Sequence, residues 1–196
     1  MNQTAIRRSL ALAILATASL CCSAAQVDIE GVKLDEATVL RGHPLQHNGA
    51  GVRYKTVFKV YAAGLSLGAK AHSLEDAVAA PGAKRIAITM MRDVKADELG
   101  RLFTRGVGDN SPRNEMALLI PGLLRMGEVF SAQKELKAGD TISLDWVPDT
   151  GTLITIKGTT QHEPIRERAF FHALMRIWIG PNPADMNLKN ALLGNT

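Results

Sequence analysis

Cysteine is almost missing from this 196-residue sequence, and the two that occur are neighbours near the N-terminus. Cys21 and Cys22 fall within a segment that has the order of a secretory signal: two arginines, an apolar run over residues 10–22, and small residues at 23–25. We predict that residues 1–25 are a cleaved signal peptide. The remaining domain, residues 26–196, then has no disulfide, no thiol nucleophile and no thiolate metal site.

Long hydrophobic runs are missing as well. The apolar part of the predicted signal is shorter than the roughly 20 residues that a membrane span needs. Leu20, which precedes Cys21, also fits a lipoprotein signal poorly. Because no later segment is apolar and long enough to cross a bilayer, we expect an exported protein without a membrane span, located in the periplasm.

A strong excess of one charge is absent too. Removal of residues 1–25 takes lysine plus arginine from 23 to 21 against 19 acidic residues, so the formal net charge falls from +4 to +2. A nucleic-acid-binding domain usually carries a clear basic excess on one face. We therefore expect no nucleic-acid partner.

The common catalytic motifs are not found in this sequence. His43 and His47 are four residues apart, but the proline and glycines around them predict a loop, and no His-Glu-x-x-His pattern occurs. There is no Gly-x-Ser-x-Gly elbow and no phosphate-binding loop. The sequence therefore predicts no metal site and no cofactor, and it leaves a binding pocket or simple polar catalysis.

The order of the predicted elements indicates a single α+β domain. Strands are followed by helices, then by a hairpin, then by helices again, which favours an antiparallel sheet with helices packed on one face. Ser73 and Ser111 have the position of helix caps, with Pro121 expected to kink or split the second of these helices. The predicted strands are 27–30, 37–40, 52–67, 85–91, 141–147 and 152–157, and a helix is predicted at 165–179.

One arginine and one tyrosine stand out in the predicted strand at 52–67. Arg53 and Tyr61 are separated by an even number of residues, so both side chains share a face if this strand is regular. A guanidinium and a phenol on a covered face could hold a carboxylate, phenolate or enolate oxygen. The competing interpretation is an arginine at the strand edge in solvent and a tyrosine in the core.

Three segments resemble a known family. Residues 48–53 read NGAGVR, residues 58–67 read FKVYAAGLSL, and residues 178–185 read WIGPNPAD. The first two resemble the glycine–arginine turn and lysine-bearing strand of the chalcone isomerase family, and the third resembles the ending of its bacterial, exported branch. This resemblance implies an open-faced β-sandwich, in which a layer of helices covers a large antiparallel sheet.

The same resemblance implies two kinds of function. Chalcone isomerases close a ring by adding a phenolate to an unsaturated ketone without a cofactor, and the strand arginine holds the phenolate. Other members of the fold are non-catalytic, and some bind fatty acids through the arginine and a nearby tyrosine. Arg53 matches the family arginine, and Tyr61 falls near that tyrosine, although the spacing is several residues shorter here.

The catalytic tyrosine and asparagine of the isomerases have no counterpart in residues 90–104. We therefore expect a periplasmic chalcone-isomerase-like protein that binds a small amphipathic acid or phenol, with Arg53 and Tyr61 as the ligand-binding residues. The alternative is a cofactor-free isomerase, an intramolecular lyase, in which Arg53 is the catalytic residue for an unidentified substrate. A third interpretation is an interaction protein whose pocket is filled by its own side chains.

Overall fold

Strands and helices alternate in blocks along residues 25–195, the part of the chain that the computed structural model describes. The strands are β1 (Gln26–Ile29), β2 (Val32–Asp35), β3 (Ala37–Leu40), β4 (His43–Lys55), β5 (Phe58–Leu67), β6 (Lys84–Met90), β7 (Val94–Lys95), β8 (Glu135–Leu136), β9 (Thr141–Val147), β10 (Gly151–Ile156) and β11 (Thr159–Ile165). The helices are α1 (Leu74–Ala79), α2 (Ala96–Asn110), α3 (Met116–Ser131), α4 (Arg168–Ile179) and α5 (Met186–Leu192).

Seven of the strands form one antiparallel sheet in the spatial order β11-β10-β9-β6-β5-β4-β3. Strands β1 and β2 pair with each other as a separate hairpin. In the central strand β6, buried and partly exposed positions alternate, which places Ile86, Ile88 and Met90 on one face. The fold is thus the α+β architecture with a helix-covered antiparallel sheet that the sequence predicted.

The helices cover the face that carries the large apolar side chains. Helix α2 packs against α3 and α4, and α4 is mostly buried, with Phe170, Leu174 and Trp178 in the core. Phe103 on α2 meets the indole of Trp178 edge-on, with ring centroids 5.2 Å apart. This face of the sheet, called the covered face below, therefore holds the main hydrophobic core.

Helix α5 lies directly on β4, and the glycines of that strand permit the contact. A Cβ added at Gly49 would stand 2.0 Å from the carbonyl oxygen of Ala191. Because no side chain fits there, glycine at this position is explained by the close approach of a helix to a strand.

The opposite face, called the open face below, carries small and polar side chains instead. Arg85 on β6 and Asp145 on β9 are opposed there, and two hydrogen bonds of 2.7 and 2.8 Å join the guanidinium to the carboxylate. The β1–β2 hairpin covers part of this face and brings the Leu34 side chain over Gly64. A bidentate ion pair thus neutralises the arginine on this side of the sheet.

The strand predicted at residues 52–67 is wrong in one respect, because the segment forms a hairpin of two strands. Strand β4 ends at Lys55 and β5 begins at Phe58, with Thr56 at a φ of 59°. A turn with positive φ normally contains glycine, asparagine or aspartate. Here the turn is formed by Thr56 and Val57, so the sequence gives no local signal for it.

The loop predicted around His43 and His47 is also wrong. Both histidines lie in the 13-residue strand β4, together with Pro44 and Gly49. Pro44 pairs with β3 near the edge of the sheet, where a missing N–H is tolerated, and Gly49 meets α5. The proline and glycine that suggested a loop are therefore explained by pairing at the edge of the sheet and by the contact with α5.

The helix caps are partly as predicted. Ser73 caps α1, and its side chain accepts a hydrogen bond from the backbone N–H of Asp76. The cap predicted at Ser111 is wrong, because that residue follows the last turn of α2 and α3 begins only at Met116. Pro121 lies inside α3, and the helix is not split there.

The predicted signal peptide lies outside the described residues, except for Ala25. Among the helices of residues 25–195, none is long and apolar enough to cross a membrane.

Candidate functional site

Arg53 and Tyr61 are direct neighbours on adjacent strands. They are Cα partners in the antiparallel β4–β5 pair, so their side chains point to the same face of the sheet. The guanidinium carbon lies 5.7 Å from the centroid of the tyrosine ring, which is the range of a cation–π contact. The predicted common face is therefore observed, although two paired strands produce it and not one continuous strand.

Tyr61 is buried in the core and is held by a residue far away in sequence. The indole N–H of Trp178 donates a 2.8 Å hydrogen bond to the tyrosine hydroxyl oxygen. Burial raises the pKa of Tyr61 to about 12, although the positive charge of Arg53 and the bond from Trp178 act in the opposite direction. The phenol is therefore neutral at physiological pH and keeps a proton that it can donate.

Arg53 has no acidic partner among residues 25–195, in contrast to Arg85. No carboxylate oxygen lies within 4.0 Å of its guanidinium, and its buried Nε has no hydrogen-bond partner in the described part of the chain. Asp185 lies nearby but is engaged elsewhere, since it caps α5 and accepts a bond from the backbone N–H of Tyr54. A partly buried cation without a counter-charge is unfavourable, and a bound anion would stabilise it.

A cavity of about 150 Å³ lies beside this pair, between the sheet and helices α2 and α4. Apolar side chains form somewhat more than half of its wall, and polar side chains enter it from the sheet, from α2 and from the loop after α4. The lining residues are Arg53, Tyr61, Leu99, Leu102, Phe103, Arg105, Gly106, Asp109, Ile177, Asn182, Pro183 and Ala184. The arrangement places two polar donors, a guanidinium and a phenol, at the edge of a small apolar space.

A second cavity of about 310 Å³ lies on the other side of Arg53. It shares Arg53, Leu99 and Leu102 with the first cavity. Its remaining wall is mostly charged and contains Lys55, Arg92, Asp93, Lys95, Glu98 and Glu135. Arg53 thus stands between a mainly apolar cavity and a charged one.

Several residues of the site were not predicted from the sequence. Trp178 and Phe103 lie on the apolar faces of α4 and α2. Such a face predicts that a residue is buried in the core, but not that it borders a site. Asn182 binds the C-terminal end of α2 by donating a 3.0 Å hydrogen bond to the carbonyl of Asp109. A sequence signal for Asn182 existed only in the family resemblance of residues 178–185.

The histidines do not form a site among the described residues. Residues 25–195 hold no group of three or more metal-ligating side chains. Burial lowers the pKa of His47, and burial together with the charge of Arg168 lowers that of His172 to about 4. His172 is therefore neutral at physiological pH and lies at the boundary of the core on α4.

Comparison with known proteins identifies the class of this chain. Residues 26–194 match the family model described as chalcone isomerase-like, so the protein belongs to the chalcone isomerase-like family. A search of curated proteins found no match. Among solved structures, a fatty-acid binding protein of Arabidopsis thaliana is similar, with a TM-score of 0.66 and 15% sequence identity over 87% of this chain and 97% of that one. At that identity the likeness shows a shared fold.

Proposed function

We propose that this chain is a binding protein for a small amphipathic acid or phenol, with Arg53 and Tyr61 as its polar anchor. The observation that carries the proposal is the partly buried guanidinium of Arg53, which has no acidic partner within residues 25–195 and borders a mainly apolar cavity. A ligand carboxylate would receive charge-assisted hydrogen bonds from it. The solved structure of a fatty-acid binding protein with the same fold supports an acid as the ligand class.

Tyr61 contributes a second donor to the proposed anchor. Its oxygen already accepts from Trp178, and its own O–H has no acceptor among the described residues. Because burial keeps the phenol protonated, that O–H can donate to a carboxylate or phenolate held by Arg53. The Trp178 bond fixes the oxygen in place, so the donor is positioned before a ligand arrives.

Native mass spectrometry of the full chain, produced in cells that export it, tests this function. We expect a small acid or phenol to copurify with the protein and to be lost in Arg53→Met. Arg101→Met is the matched control, because it removes an arginine that is exposed on α2 and that pairs, within residues 25–195, with Asp97 alone. Retention of the ligand by Arg53→Met would contradict the proposal, as would a wild-type protein that carries no ligand and binds neither an added acid nor an added phenol.

The isomerase alternative rests on Arg53 alone. The part of α2 that lines the first cavity contains no tyrosine or asparagine; its lining residues are Leu99, Leu102, Phe103, Arg105, Gly106 and Asp109. The tyrosine and asparagine of this wall, Tyr61 and Asn182, come from β5 and from the loop after α4. Loss of catalytic hydrogen-bond donors typically lowers rates by orders of magnitude. We expect chalcone absorbance to decay at the uncatalysed rate; an Arg53-dependent acceleration would favour the isomerase.

Export to the periplasm, as a member of the family's bacterial exported branch, is part of the same proposal. It rests on the signal-like order of residues 1–25 in the sequence. Cell fractionation of the full chain and of a chain beginning at residue 26 tests it. We expect the first in the periplasm, shortened by about 25 residues, and the second in the cytoplasm.

A further inference from the structure

The volume of the first cavity limits the size of the ligand group that can lie in it. A volume of about 150 Å³ lies well below the roughly 300–1,000 Å³ of sites for drug-sized molecules. In another protein, an apolar cavity of that volume holds one benzene molecule. The cavity therefore accommodates about one ring.

The second cavity does not offer room for an apolar tail. Although it is larger, charged side chains form most of its wall, among them Arg92, Lys95 and Glu98. An acyl chain laid along these groups would displace water from them without replacing its hydrogen bonds, which is costly. A ligand held at Arg53 can therefore place its apolar part in the first cavity and only polar atoms toward the second.

The wall of the first cavity suits a flat ring. Tyr61, Phe103 and Pro183 contribute rings to this wall, and Leu102 and Ile177 contribute aliphatic side chains. Aromatic rings prefer edge-to-face or offset contacts with other rings, and Phe103 already makes such a contact with Trp178. A planar aromatic group can join this arrangement, whereas a flexible alkyl chain would lose conformational freedom in so short a space.

We infer that the ligand is a monocyclic aromatic acid of benzoate or cinnamate size, with its carboxylate on Arg53 and its ring in the first cavity. The inference rests on the proposed binding function and names the ligand class of the same site. It predicts weaker binding of long-chain fatty acids and two-ring chalcones, because these molecules would extend beyond the first cavity.

Isothermal titration calorimetry of the delipidated protein tests the inference with benzoate, trans-cinnamate, octanoate and palmitate. We expect at least one of the aromatic acids to bind about tenfold or more tightly than either fatty acid, and to lose at least about tenfold in Arg53→Met. Benzyl alcohol, which keeps the ring and lacks the carboxylate, should bind far more weakly. Arg101→Met is again the matched control and should bind like the wild type.

Leu102→Ala provides a second, independent variant. Leu102 lines both cavities, so its truncation should enlarge the space beside Arg53 and move the preference toward octanoate. Fatty acids that bind the wild type as tightly as, or more tightly than, the aromatic acids would overturn the inference while leaving the binding function intact. Failure of all four acids to bind would overturn this inference, and failure of phenol and 4-hydroxybenzaldehyde as well would refute the binding function itself.

Discussion

Two arginines on opposite faces of one sheet have opposite electrostatic surroundings. On the open face, Arg85 forms a bidentate pair with Asp145, whose side chain is 5% exposed. On the covered face, Arg53 has a buried Nε without a partner in the described chain and lies over the ring of Tyr61. The paired arginine joins two strands, whereas Arg53 has no acidic partner among residues 25–195.

The contrast distinguishes an arginine that an ion pair holds from the arginine that we propose as the ligand anchor. A buried ion pair with two good hydrogen bonds satisfies both partners, and removal of either one leaves an uncompensated charge. Removal of Arg53 leaves no carboxylate without its partner. Substitution of Arg85 or Asp145 should therefore affect mainly stability, and substitution of Arg53 should affect mainly binding.

The largest effect that we expect comes from a glycine on the covered face. Gly49→Ala would place a Cβ 2.0 Å from the backbone oxygen of Ala191, so α5 must move off β4. Gly64→Ala, on the open face, meets only the flexible end of Leu34 at 2.9 Å. Urea unfolding should show a loss of about 3 kcal/mol or more for Gly49→Ala and less than about 1 kcal/mol for Gly64→Ala.

An equal loss in the free energy of unfolding for these two variants would mean that the covered and open faces are packed equally closely at these glycines. A free energy of unfolding for Gly49→Ala equal to that of the wild type would also contradict the close contact between α5 and β4.

The second prediction compares the two arginine sites directly. Asp145→Asn should lower the free energy of unfolding by about 2 kcal/mol, somewhat less than a fully buried pair would lose, because the Arg85 side chain is 27% exposed. Arg53→Met should change it by less than about 1 kcal/mol, since no ion pair is broken. Chemical denaturation of both variants measures the difference; a larger loss for Arg53→Met would show that Arg53 has a structural partner.

A third basic residue, Lys84, can be compared with the two arginines. It lies on the covered face, as Arg53 does, but it lines neither of the two cavities at Arg53. It is 1% exposed, and its ammonium group donates a hydrogen bond to the carbonyl of Ala80. Burial lowers the pKa of Lys84 to about 8, with a smaller contribution from the charge of Arg168. The folded state therefore releases this proton more readily than the unfolded state does.

Lys84→Met should raise the free energy of unfolding at pH 7 by about 1–2 kcal/mol. The unfolded wild type binds more protons between about pH 8 and 10.5, so the wild type gains stability as pH rises through this window. The advantage of the variant should therefore shrink there. Urea unfolding at pH 7 and pH 9.5 checks this, and an advantage that grows with pH would contradict it.

The smallest predicted effect is the ionisation of Tyr61. Its pKa of about 12 lies above the pKa of about 10 of an ordinary tyrosine, so stability should decline between about pH 10 and 12 as the unfolded tyrosine loses its proton first. Absorbance at 295 nm should show Tyr54, which is exposed, ionising before Tyr61. Tyr61→Phe should remove the later step and Tyr54→Phe the earlier one; the reverse assignment would contradict the burial of Tyr61.

The sequence predicted the architecture because the pattern of buried residues is strong on the covered face. The strands at 85–91 and 141–147 correspond closely to β6 and β9, where alternate residues face the helices. The sequence did not predict the turn at Thr56, whose positive φ has no glycine to indicate it. It also missed β11, where the polar residues of an edge strand show no apolar alternation.

The sequence predicted that Arg53 and Tyr61 share a face of the sheet, but not what surrounds them. Arg53 and Tyr61 were singled out by their types and spacing, and the structure places them opposite each other. Trp178 lies 117 positions beyond Tyr61, so no local pattern could reveal their hydrogen bond. The absence of an acidic partner around Arg53 and the volume of the cavity depend equally on long-range packing of α2 and α4, which a single sequence does not specify.

A crystal structure of the protein with 4-bromobenzoate tests the role of Arg53 most directly, because the anomalous signal of bromine locates the ligand. We predict one site, with the carboxylate within about 3.2 Å of the Arg53 guanidinium and the bromine in the cavity beside Phe103. Bromine found on the open face beside Arg85, or no bound ligand at concentrations well above the measured Kd, would contradict the account.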